Sequence, residues 1–212
     1  MPSEIVPKHL SEKAAGWYFR LNGFLLMNNV IIHPAVGPGS QKTEIDLLGV
    51  RFPHRQEEEM QDDQKFTKVN YPYIVMVEIK TKGSCLNPSW TDPKRGNAER
   101  FLRFIGPYPE ADVPRIAKCL YADGCYEDTR AKISFVMVGD TAENEVKARW
   151  KKVLCFDWDA IGRFIHKRLT TTLSVKTDHR QWDATGQLLY SLADANRAEE
   201  DFLSAFRTRI GL

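Results

Sequence analysis

Two short runs hold the side chains best placed to do chemistry. The first is Thr43-Glu44-Ile45-Asp46-Leu47-Leu48-Gly49-Val50, and the second is Tyr73-Ile74-Val75-Met76-Val77-Glu78-Ile79-Lys80-Thr81-Lys82. Each sets ionisable groups inside an apolar, β-branched stretch that reads as a strand. Side chains alternate along a strand, so Glu78 and Lys80 share one face while Val77 and Ile79 share the other. By the same rule Asp46 lies with Glu44, Leu48 and Val50. A buried charge is costly unless it is paired or binds a metal. If the two strands pair antiparallel, Asp46 stands beside Glu78. Carboxylates that close repel, which raises a pKa or recruits a cation. Mg²⁺ suits such a pair, because it is held by one or two carboxylates, several waters and substrate phosphate oxygens. Lys80 can then orient an attacking water or stabilise charge on a phosphorane-like transition state.

The elements that must position these groups are legible around them. A helix is expected over residues 12–22, capped by Ser11 and closed by Gly23. Strands are expected over 24–32, 44–52 and 73–82, with a turn at Gly37-Pro38-Gly39-Ser40. Residues 54–70, rich in Glu57-Glu58-Glu59 and Asp62-Asp63, read as a solvated loop. Helices over 97–105 and 113–122, a strand over 132–138, a short strand over 153–156 and a helix over 159–169 follow. Residues 186–210 read as a C-terminal helix, whole or in two pieces.

The motifs and their order resemble the PD-(D/E)xK nuclease superfamily, which has the restriction-endonuclease-like fold. Ile45-Asp46 matches the first half of its signature and Glu78-Ile79-Lys80 the second. The runs from Glu44 to Leu48 and from Val77 to Lys82 are similar to the Holliday-junction-resolvase branch of small nucleases. Ile45 stands in place of the proline of the family's name, and the acidic insertion between the two strands is unusual. The resemblance implies an α/β fold, a mixed central sheet flanked by helices with an αβββαβ core over residues 1–140. Residues 141–212 would be an extension packed on that core, with a role in substrate recognition or dimerisation. It further implies Asp46 and Glu78 as Mg²⁺ ligands, joined by the backbone carbonyl of Ile79 and by the helical Glu12. Lys80 would assist the water, and Mn²⁺ would substitute for Mg²⁺. The activity implied is phosphodiester hydrolysis in nucleic acid, DNA first. The alternative is a nuclease-fold module without turnover that binds nucleic acid or protein.

Composition narrows the field. The 212 residues are enough for one well-cored domain, and 42% hydrophobic with 27% charged residues is ordinary for a globular protein. A net charge of only +2 makes any nucleic-acid contact a matter of a local patch. Gln41, Lys42, Lys82, Lys94, Arg95, Arg100 and Arg103 are candidates for phosphate, and Trp90 for stacking on a base or for the core. Trp150-Lys151-Lys152 and His166-Lys167-Arg168 read as basic surface clusters. Cys85, Cys119, Cys125 and Cys155 form no CxxC pair, which argues against a zinc site. No histidine pair has ligand spacing, and neither a serine-hydrolase motif nor a Gly-rich phosphate loop is present. No apolar run reaches a membrane span and no secretory signal is evident, so a cytoplasmic protein is expected. A homodimer is compatible with cutting two strands, which takes two sites.

Overall fold

A computed structural model describes residues 9–32, 43–57, 61–83, 87–140, 146, 150, 152–172 and 180–212. The chain runs α1 (Leu10–Leu21), β1 (Leu25–Ile32), β2 (Thr43–Arg51), α2 (Gln64–Thr67), β3 (Tyr73–Ile79), α3 (Pro88–Thr91), α4 (Asn97–Ile105) and α5 (Val113–Asp123). It continues through β4 (Cys125–Glu127), β5 (Lys132–Val138), β6 (Leu154–Phe156), α6 (Trp158–Thr172), α7 (Ala184–Ala195) and α8 (Glu199–Ile210). The result is an α/β architecture, with one mixed, open sheet of six strands between helices.

β1, β2 and β3 form an antiparallel meander; β5 then runs parallel to β3 and to β6, with β4 antiparallel to β5. All seven residues of β3 are buried, as a strand with a helix layer on each face requires. The odd residues Tyr73, Val75, Val77 and Ile79 enter a core under α1, α6, α7 and α8. The even residues Ile74 and Met76 enter a second core under α4 and α5. Glu78 is the next even residue, so the sequence places a carboxylate where an apolar side chain would continue that core.

α1 buries Ala14, Ala15, Trp17, Tyr18 and Phe19. Gly23 follows it at φ 79, donating its N–H to Arg20 O at 2.9 Å. The helix start differs from the expected one. Leu10 is its first residue and His9, at φ 58, is the cap without a side-chain bond. Ser11 lies inside the helix, and its Oγ meets Thr81 Oγ1 at 3.2 Å. A contact with the end of β3 has taken the hydroxyl that would otherwise cap. The C-terminal helix is in two pieces. Asn196 ends α7, its side-chain amide donating to Leu192 O at 2.9 Å.

The acidic segment between β2 and β3 also departs from a solvated loop. Asp62 accepts from Arg51 Nη2 at 2.8 Å, from Arg55 Nη1 at 2.7 Å and from Arg168 Nη2 at 2.6 Å. Asp63 accepts the Tyr18 hydroxyl at 2.7 Å and caps α2. These aspartates fold inward because three guanidinium groups, two of them nearly buried, need counter-charge. The cluster ties β2 to α6. Among the described residues no helix is long and apolar enough to cross a membrane.

Candidate active site at the ends of two strands

β2 and β3 pair with Leu47 opposite Val77. One further residue along that register sets Asp46 across from Glu78. Asp46 Oδ2 accepts the Ile79 N–H at 2.7 Å, so the side chain takes the place of a main-chain acceptor at the strand end. The alternation of β2 changes here. Leu47 lies in the first core and Leu48 in the second, as period two requires, yet Ile45 lies in the second core as well. Asp46 therefore sits at a change of face rather than on one face with Glu44 and Leu48. Its neighbour across the β1–β2 pair is Asn29, between the pairs Asn28–Leu47 and Val30–Ile45. Asn29 has φ 50, a left-handed conformation that asparagine tolerates better than β-branched residues. The left-handed residue on β1 thus stands opposite the point where β2 changes face.

Glu78 is 4% exposed, and Lys80 Nζ donates to its Oε1 at 2.5 Å. Burial pushes the Glu78 carboxyl above the ordinary glutamate range. The Lys80 hydrogen bond and charge pull it down, while Asp46 and Glu44 push it up; the net direction is upward. The main chain at Lys80 is held on both sides, with its N–H on Val138 O at 2.9 Å and its carbonyl under the Trp158 indole N–H at 3.1 Å. Parallel pairing with β5 and the start of α6 thus hold the segment from which Lys80 reaches back.

The structure brings Asp46, Glu78 and Lys80 together, with exposed Glu44 close enough to act on Glu78. Glu12 is placed differently. The Ser11–Thr81 contact sets the first turn of α1 at the end of β3, but the Glu12 carboxylate pairs with His9 Nδ1 at 3.3 Å. Among the described residues no three His, Cys, Asp or Glu side chains gather closely enough to hold a metal ion. The donor set of the pair nonetheless suits a hard cation. Asp46 commits one oxygen to Ile79 and Glu78 one to Lys80, and each keeps a second carboxylate oxygen.

The other candidates divide. Trp90 is 1% exposed and meets Phe101 and Phe135 edge-on, so it is core. Arg103 forks onto Glu110, Arg95 reaches Ser89 and Asp92, and Arg100 bonds Asn97. Lys82 is exposed. Trp150, His166 and Arg168 are buried rather than surface, while Lys152 pairs with Asp123. Gln41, Lys42, Cys85, Lys151 and the turn at 37–40 lie outside the described residues. The sequence reading missed Asn29, although two consecutive asparagines inside an otherwise apolar strand were the available signal. No family model, no curated protein and no solved structure matches the chain.

Proposed function

We propose that this protein is a metal-dependent nuclease of the PD-(D/E)xK type with a restriction-endonuclease-like fold, hydrolysing phosphodiester bonds in nucleic acid, with DNA as substrate, in the cytoplasm. The observation that carries the reading is the meeting of Asp46 with the Glu78-Ile79-Lys80 segment through the Asp46–Ile79 hydrogen bond. A helix, a three-stranded meander, further helices and a strand parallel to the third add support from element order. So does the cost of the arrangement. Glu78 is kept in a place that raises its pKa, and a carboxylate held against its own solvation is characteristic of sites rather than of packing.

Asp46, Glu78 and the Ile79 carbonyl would hold Mg²⁺ or Mn²⁺, and Glu12 would join them as an auxiliary ligand only on leaving its pair with His9. When bound, the metal supplies Lewis acidity toward the phosphate and a more acidic water. Asp46 fixes the end of β3 through the Ile79 N–H. Lys80 neutralises Glu78 and presents its ammonium beside the scissile phosphate, where it orients the water and stabilises developing negative charge. A site that hydrolyses one strand at a time breaks both strands of a duplex at once only when two copies act together.

The test is incubation with Mg²⁺ or Mn²⁺ and a panel of circular single-stranded DNA, plasmid, linear duplex, branched DNA and RNA. Metal-dependent cutting that falls by about 10²-fold or more in Glu78→Ala and Lys80→Ala is the expected result. Binding without cutting on every substrate would instead favour a nuclease-fold module without turnover.

A further inference from the structure

We infer that the groove between α1 and β1 is a docking track for an unpaired nucleic-acid strand leading to Asp46, its backbone held by Lys13 and Arg20. The inference rests on the nucleic-acid reading above. The groove has a volume of about 540 Å³ and includes Lys13, Gly16, Trp17, Arg20, Leu25 and Asn28 in its lining. Lys13 and Arg20 are exposed, and neither is ion-paired to a carboxylate among the described residues. Seven residues apart on α1, they lie about 10.5 Å from each other along the helix axis. The Arg20 guanidinium lies over the Trp17 ring at 4.6 Å, which fixes it at the rim. The remaining charges of the lining are already engaged. Arg55 is bonded to Asp62, and Asp183 takes the Trp17 indole N–H at 3.0 Å and caps α7.

Gly16 supplies an independent reason to see a binding surface. A glycine inside a helix costs about 1 kcal/mol relative to alanine, so its presence calls for a reason. At Gly162 and Gly186 the reason is packing: an added Cβ would meet a side chain at 2.7 and 2.0 Å respectively. At Gly16, among the described residues, it would meet only Asn28 Oδ1, at 3.9 Å. Among the described residues nothing fills this room; Gly16 is buried on the floor of the groove, between the two cations in the helix. Asn28 and Asn29 connect that floor to the site, since Asn29 stands across the strand pair from Asp46.

The occupant follows from the chemistry of the walls. Two unpaired cations on one rim suit a phosphodiester backbone. Leu25, in the lining and 67% exposed, offers apolar surface beside them that unpaired bases can reach. A duplex hides those base faces, so a single strand is the better fit.

The experiment is fluorescence anisotropy of the full chain with labelled single-stranded DNA, single-stranded RNA and duplex DNA, without added metal, over a salt series. Wild type is compared with Lys13→Ala/Arg20→Ala and with Gly16→Met. The expected result is salt-dependent binding that favours a single strand. The double variant should weaken it about tenfold or more at low salt and reduce the slope of log affinity against log salt by about 1.4, two phosphate contacts' worth. Gly16→Met, which keeps both charges and fills the floor, should weaken binding with no fall in melting temperature. Comparison of the two single strands identifies the sugar. Preference for duplex, absence of binding by wild type, or an unchanged salt slope in the double variant overturns the groove. Cleavage by wild type alongside an unchanged slope would leave the nuclease reading standing. Binding through Lys13 and Arg20 without cleavage would do the reverse.

Discussion

Glu78 shows at the scale of one residue how a site and a fold compete. Its carboxyl is buried, is pushed upward in pKa and has Asp46 and Glu44 nearby. A carboxyl whose folded pKa lies above its unfolded value weakens the fold at neutral pH. The penalty is absent well below both values and sets in as the pH rises through the carboxylate range. Glu78→Gln removes that penalty while keeping the shape. It should raise stability at pH 7 by about 1 kcal/mol, measured by denaturant unfolding, while abolishing cleavage. Loss of both stability and activity would mean that the charge-assisted bond with Lys80 outweighs the burial cost.

At the scale of elements, the distinctive feature is the irregularity where β1 passes β2. Asn29 at φ 50 lies across from Asp46, and the face of β2 changes beside it. Asn29→Val forces a β-branched residue into the left-handed region and should cost about 1–2 kcal/mol. It should also lower cleavage more than the stability loss explains, since Asp46 turns at this point; Asn29→Gly should preserve both. Thermal unfolding and a cleavage rate on each variant settle the matter. This irregularity also shows what a sequence conveys and what it does not. β3 was legible because a run of apolar, β-branched residues needs no partner to be recognised. The meeting of Asp46 with Glu78 was legible because antiparallel pairing follows from adjacency. The change of face at Asp46 was not, because strict alternation is the assumption by which strands are read. Ser11 misled for a related reason: a serine before an apolar helix is a local signal, and its contact with Thr81 is seventy residues away.

At the scale of the molecule, the Asp62 cluster holds separate parts of the chain together. Arg51 from β2, Arg55 from the following loop and Arg168 from α6 converge on one carboxylate, and Arg168 also reaches Leu21 O at the end of α1 at 2.8 Å. Burial alone would raise the Asp62 carboxyl, but the hydrogen bonds from Arg51, Arg55 and Arg168 outweigh it and hold it below the usual carboxylate range. A carboxyl with a depressed folded pKa contributes its stability in full above the unfolded value, about 3.9, and loses it as the pH falls through the folded value. Acid unfolding should therefore steepen below about pH 4. Asp62→Asn should cost about 3 kcal/mol at pH 7, because it leaves nearly buried guanidinium groups without a counter-charge, and should flatten that acid dependence. Urea titrations of both proteins at pH 7 and at pH 3 test it. The cluster was hidden in the sequence because a string of acids ordinarily signals a solvated loop. Its partners, Arg51 and Arg168, lie far apart in the chain, and only the fold brings them to Asp62.

The most direct measurement of the central claim is single-turnover cleavage of circular single-stranded DNA with Mg²⁺ by wild type and by Asp46→Asn. The asparagine can still accept the Ile79 N–H, so the strand end and the melting temperature should survive while the anionic ligand is lost. Wild type should linearise the circle only when metal is present, and Asp46→Asn should be slower by about 10²-fold or more. Equal rates for the two proteins, or cutting by neither, would overturn the assignment of Asp46 to a metal-dependent nuclease site.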